Sequence, residues 1–145
     1  MGASINRTKS NAMKANELRI GNLVKYAEIV MRVTSISAQI VTLKRRSITV
    51  TAHIDKIEPI ALTEEWLLKF GFKQSEYEEQ CYCLSGLDLK WGYRYLENEP
   101  NWHYGHDYEH GGGMSCLWQP IKFVHQLQNL YYALTGKELE IRKEN

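Results

Sequence analysis

Cysteine is scarce in this 145-residue chain. Its three residues, an odd number, are too few for a disulfide framework and point to a reducing compartment. Long apolar runs are lacking too: no stretch approaches the roughly 20 apolar residues that span a bilayer, which excludes a helical membrane protein. There is neither a phosphate-cradling glycine-rich loop ahead of a helix nor a nucleophile elbow. No internal repeat or low-complexity tract occurs. What is present is 43% hydrophobic, 24% charged and 11% aromatic residues. That composition describes an ordered globular chain with one domain or two very small ones.

Residues 1-12 (MGASINRTKSNA) are polar and aperiodic, and end in Ser10-Asn11-Ala12 before a second methionine. They read as the remnant of a purification tag, with Met13 as the natural start. A signal peptide would need an apolar stretch of about 7 to 15 residues there. From Met13 to Ile57 eight basic residues face three acidic ones, a net +5; from Glu58 onward eight face fourteen, a net −6. Such a split bears on partners and not on fold.

Five short β-branched segments fill residues 18–60 without a helical period. They are Leu18–Tyr26, Glu28–Ile36, Gln39–Leu43, Ser47–Thr51 and the Ile54, Ile57, Ile60 run closed by Pro59. This spacing predicts a small antiparallel barrel over residues 13-60. The order Arg-Ile-Gly-Asn-x-Val followed by Val-x-x-Ile resembles the opening of SH3-like barrels. Next, Thr63 as N-cap, Glu64-Glu65 in the first turn and Gly71 as C-cap predict a two-turn helix.

Residues 77–108 hold eight of the sixteen aromatics. Gln80–Leu84 and Leu87–Leu96 alternate with period two around Ser85-Gly86, which predicts a hairpin. Leu87, Leu89, Trp91, Tyr93 and Tyr95 share its buried face, and Asp88, Lys90 and Arg94 its wet one. Residues 97–113, with Pro100, four glycines and three histidines, read as a loop, and Met114–Trp118 as another strand. A helix from Pro120 to Gly136 carries Phe123, Val124, Leu127, Leu130, Tyr131 and Leu134 as its core stripe. Lys137–Asn145 is a charged tail.

Glu17–Val24, Ile57–Phe72 and Val124–Gly136 together resemble a family of small proteins of unknown function encoded in bacteriophages, prophages and mobile elements of gut anaerobic bacteria. The match touches both ends and the middle of residues 13–141. It implies a cytoplasmic protein acting inside a bacterial host, and carries no activity, cofactor or catalytic residue.

Three groups of residues are candidates for a site. Lys25, Arg32, Lys44, Arg45 and Arg46 form a basic edge that attracts phosphates, although Tyr26 is the barrel's lone aromatic for stacking. Trp102, Tyr104 and Tyr108 are candidate partner contacts in an aromatic loop. Within that loop His103, His106 and His110 offer imidazole nitrogen to a zinc-like ion, but at no standard zinc spacing. Cys81 and Cys83 lie on one face of a strand, and Cys116 on another strand; reduced core thiols are their plain reading.

The whole reads as an α+β chain: a small SH3-like antiparallel β-barrel (13-60), then residues 61-145 with a short helix, an antiparallel sheet and one packed C-terminal helix. The expected role is non-enzymatic: a phage or prophage accessory protein binding a host or phage protein or nucleic acid, without cofactor and away from membranes. One alternative is a metal- or cysteine-dependent hydrolase using the His103–His110 loop. Another is an oligomeric structural or assembly component.

Overall fold

In a computed structural model the chain is described for residues 13–76, 80–84, 87–92, 100–107, 114–116 and 120–142. The expected tag remnant, Tyr108, His110 and the Ser85-Gly86 turn lie outside the described residues. The fold is α+β, built among the described residues from two five-stranded antiparallel sheets and two α-helices. It divides into two compact units: Met1–Ala61 with Phe123–Glu138, and Leu62–Lys122 with Leu139–Asn145. Among the described residues no helix is long and apolar enough to cross a membrane.

The first unit holds strands β1 (Leu23–Tyr26), β2 (Ile29–Ser37), β3 (Ile40–Arg45), β4 (Ile48–His53) and β5 (Ile57–Glu58), in the order β4-β3-β2-β1-β5. Three two-residue hairpins join the first four, since Tyr26 pairs with Ile29, Ser37 with Ile40 and Arg45 with Ile48. Tight hairpins need left-handed backbone to match the strand twist. Here non-glycine residues supply it: Ala27 (φ 50°), Glu28 (67°), Ala38 (52°) and Arg46 (55°). A single 3-10 turn, Ile54–Lys56, brings β5 back to pair with β1, so the sheet curls onto itself. Met31, Val33, Val41 and Leu43 alternate inward along β2 and β3 and pack with Met13, Leu18, Val24, Ile54 and Ile57.

The C-terminal helix forms, but starts later than expected. Here α2 spans Val124–Thr135, with Phe123 at the N-cap and Gly136 (φ 73°) at the C-cap. Pro120 lies outside it, because Ile121 and Phe123 are taken up by bridges to Trp102 and Ala61. The Gln126 side chain accepts from the Phe123 backbone N–H at 3.1 Å, capping the first turn. Val124, Leu127 and Tyr131 are buried as the stripe predicts, whereas Leu134 is 50% exposed. His125 and Gln128, which the stripe omits, are 1% exposed. The expected division at residue 60/61 falls beside the passage between units at Ala61/Leu62, but α2 returns to the first unit instead of staying with residues 61-145.

The reason is an amide lock. Beyond the two-residue β5, the edge of β1 continues against side chains of α2. Gln128 accepts from the Leu23 N–H at 2.8 Å and donates to the Gly21 carbonyl at 3.3 Å, as a strand residue would. Asn129 donates to the Glu17 carbonyl and accepts from Asn22, both at 2.9 Å. At the other end of the helix Arg19 meets Glu138 at 2.6 Å and lies 3.8 Å over the Tyr132 ring.

The second unit begins with α1 (Glu64–Lys69), capped by the Thr63 hydroxyl, which accepts from the Trp66 N–H at 3.4 Å. Its exit has the paired bonds of a Schellman motif, Gly71 N–H to Leu68 and Phe72 N–H to Leu67. Gly71 sits at φ +94°, and a Cβ there would collide with Arg142. Strands β6 (Lys73–Gln74), β7 (Cys81–Leu84), β8 (Leu87–Gly92), β9 (Asn101–Asp107) and β10 (Met114–Cys116) follow in the sheet order β10-β9-β8-β7-β6. The expected β7–β8 hairpin is present, with Leu84 opposite Leu87. Leu87 and Leu89 are buried and Asp88 is not, as the alternation requires.

Candidate functional site

The basic residues are brought together at one end of the first sheet. The β1–β2 and β3–β4 hairpins, carrying Glu28 and Arg46, turn at that end. Arg32 and Lys44 are direct cross-strand partners, so two like charges share one face. Lys25 is one diagonal away on β1, opposite Glu58. Lys44, Arg45 and Arg46 are exposed; Lys25 and Arg32 are half-buried. Arg32 donates to the Gly21 carbonyl at 3.0 Å. Among the described residues none of the five has a carboxylate within ion-pair distance, while Arg19, His53 and Lys69 each do. Five cations against two acids, Glu28 and Glu58, leave the end positive.

The histidine-rich segment is not the loop its composition predicts. Asn101–Asp107 is strand β9, paired with β8 through Trp102–Trp91 and Lys90–His103, and with β10 through His106–Ser115. Alternating aromatic and polar residues outweigh the nearby Pro100 and glycines, because the edges of β8 and β10 supply partners for the backbone of this segment. His103 is 3% exposed, and so is buried in the fold rather than presented on a loop. Among the described residues no group of three His, Cys, Asp or Glu side chains is placed to hold a metal ion. Trp102, expected as a partner contact, is 5% exposed and donates its indole N–H to the Leu62 carbonyl at 3.1 Å. Tyr104 is half-buried.

Trp102 instead forms the floor of a cavity that the sequence does not announce. Leu62, Thr63, Glu64, Gln80, Tyr82 and Trp102 line an open pocket of about 340 Å³ within the second unit. Tyr82 meets Trp102 edge to face, with centroids 5.6 Å apart. Burial and a hydrogen bond to the Glu64 carboxylate push the Tyr82 phenol up to about 12, so it stays a donor at neutral pH. Glu64 is exposed at the mouth. The lining therefore holds polar groups that orient a small ligand, but none of them is a histidine or thiol poised for proton transfer.

Cys81 is buried and Cys83 half-buried on β7, with their sulfurs 4.0 Å apart. Burial first, then hydrogen bonding to Asp88 and the nearby Cys81, pushes the Cys83 thiol up to about 12. The thiolate, not the thiol, is the nucleophile, so this side chain is unreactive at neutral pH. Cys116 sits on β10, within the expected further strand.

No family model, curated protein or solved structure matches this chain. The site must therefore be read from its own groups. Period two signalled Cys81 and Cys83, and composition signalled the basic end. Nothing in the sequence joins Thr63 and Glu64 to Gln80, Tyr82 and Trp102, which meet only through folding of the second sheet. Likewise, nothing marks Gln128 as a strand surrogate.

Proposed function

We propose that this is a non-enzymatic binding protein, a phage or prophage accessory factor in the bacterial cytoplasm, whose first unit is an SH3-like barrel that engages nucleic acid of host or phage. The observation that carries this reading is the cluster of Lys25, Arg32, Lys44, Arg45 and Arg46 at one end of a single sheet. Like charges held opposite each other, as Arg32 and Lys44 are, destabilise a sheet, and a phosphate backbone relieves that repulsion. The barrel assignment is supported by a five-strand meander whose last strand returns through one helical turn to pair with the first. The phage assignment rests on the resemblance of the three segments quoted above.

The test is an anisotropy titration of a labelled oligonucleotide at about 50 mM and about 200 mM salt. Binding should weaken steeply between the two. An Arg45→Ala/Arg46→Ala double variant should reduce the slope of log K against log salt by about 2. Undetectable binding at low salt overturns the nucleic-acid reading and leaves a protein as the partner. Salt-insensitive binding overturns the basic end as the contact surface.

A further inference from the structure

We propose that the pocket floored by Trp102 in the second unit binds a small organic cation, an ammonium carried on an apolar body, with Glu64 as its counter-charge. Its volume of about 340 Å³ lies within the range of small-ligand sites, roughly 300 to 1,000 Å³. The Tyr82 and Trp102 rings stand at 76° with centroids 5.6 Å apart, so two aromatic walls meet in a corner. Leu62 extends the apolar lining. Among the described lining residues Glu64 alone carries a charge, and it is exposed. A ligand laid along the pocket sets its apolar body against the rings and its charge where water still reaches. Desolvation of the ion pair therefore costs little.

Hydrogen-bond capacity selects the same class. The Trp102 indole N–H is engaged by the Leu62 carbonyl at 3.1 Å, and the Tyr82 hydroxyl proton by the Glu64 carboxylate. A carboxylate offers about four lone-pair positions, and one phenol fills one of them. What remains for a ligand is acceptor capacity: the other carboxylate lone pairs, the phenol oxygen and the amide oxygen of Gln80. A positive group with several N–H donors answers it. An anion meets the repulsion of Glu64, and a neutral acceptor finds both aromatic donors engaged. Glu65, one residue on, is paired with Lys69 at 3.4 Å, whereas no cation among the described residues lies within ion-pair distance of Glu64. The carboxylate at the pocket is open to a cation from outside.

The test titrates two probes separately into the isotope-labelled full chain at fixed ionic strength, following the Trp102 indole N–H resonance. They are phenethylammonium chloride and phenethyl alcohol, a neutral molecule of the same size and shape. The ammonium should bind at least tenfold more tightly than the alcohol. Glu64→Gln keeps an acceptor for Tyr82 and should bring the ammonium down to the alcohol's affinity, leaving that of the alcohol unchanged. Glu65→Gln, at the neighbouring exposed acid, should leave both as they are. Absence of a saturable shift at tens of millimolar ammonium, equal affinity for the two probes, or undiminished ammonium binding in Glu64→Gln overturns the proposal. So does an equal loss in Glu65→Gln, which would mark diffuse attraction to an acidic surface instead of a site.

Discussion

In the first unit, the sheet edge and the helix that covers it are joined by side-chain amides. Gln128, Asn129 and Asn22 carry bonds between residues 105 to 112 positions apart. In the second unit, backbone bonds tie distant segments directly. Leu62 N–H bonds Lys122, Ile121 N–H bonds Trp102, and Arg142 N–H bonds Lys69, and the Trp102 indole adds a large side-chain contribution. The difference teaches where each unit is vulnerable. Amide locks are specific and fail singly, because removing one partner strands a buried backbone group. An aromatic anchor fails by leaving a cavity.

The largest expected effect therefore belongs to the second unit. Trp102→Ala should cost about 3 to 5 kcal/mol, read from urea denaturation, by emptying a buried site and leaving the Leu62 carbonyl unpaired. Trp102→Phe, which keeps most of the ring and loses the donor, should cost about 1 to 2 kcal/mol. Equal losses in the two variants would show that the hydrogen bond, and not ring packing, is the anchor.

Next comes the amide lock. Gln128→Ala should destabilise by about 2 to 3 kcal/mol, since it strands the Leu23 N–H and removes a buried side chain. Hydrogen exchange at Leu23 should speed up while that of β7 stays as it was. Unchanged exchange at Leu23 would mean that the lock contributes nothing to the edge.

A third prediction uses pH. His125 is 1% exposed, stacked on Phe123 with centroids 5.8 Å apart, and neither ring nitrogen has a hydrogen-bond partner among the described residues. Burial lowers its pKa below the ordinary 6.5, with the Glu17 carboxylate opposing in part. The unfolded chain thus binds the proton more readily than the fold does. Stability should be constant above about 6.5 and fall as pH drops below it. His125→Phe should flatten that limb; an unaltered pH profile would place the titration elsewhere.

The smallest expected effect is a gain. Ala27, the first residue of the β1–β2 turn, holds φ 50° with a Cβ, and Ala27→Gly should stabilise by about 0.5 to 1 kcal/mol at the melting temperature. Gly71→Ala, the converse change in the second unit, should lose about 1 kcal/mol or more, because φ +94° disfavours a Cβ and Arg142 occupies its place.

The elements whose signals are local were legible in the sequence. Alternation located β2, β7 and β8, β-branched runs located β3 and β4, and Thr63 and Gly71 bracketed α1. What failed was whatever depends on a distant partner. Leu134 obeys the helical period yet is exposed, while Gln128 breaks it yet is buried, because the burying surface includes a strand edge that wants hydrogen bonds. Residues 101–107 have loop-like flanks yet form a strand, since β8 and β10 provide partners. For the basic end, charge was legible but convergence was not: the facing of Arg32 and Lys44 depends on strand register. The cavity at Trp102 was invisible for the same reason.

The first unit is assembled from two stretches of chain separated by the whole of the second sheet, and that order has a consequence for synthesis. As the polypeptide leaves the ribosome, Leu23 appears 105 residues before the Gln128 that completes its edge. At about 5 to 20 residues per second, that interval is on the order of 5 to 20 s. The second sheet is fully translated within it. The nascent first sheet thus waits with a backbone edge unpaired, open to a neighbouring chain or a chaperone, until the last helix emerges to close it.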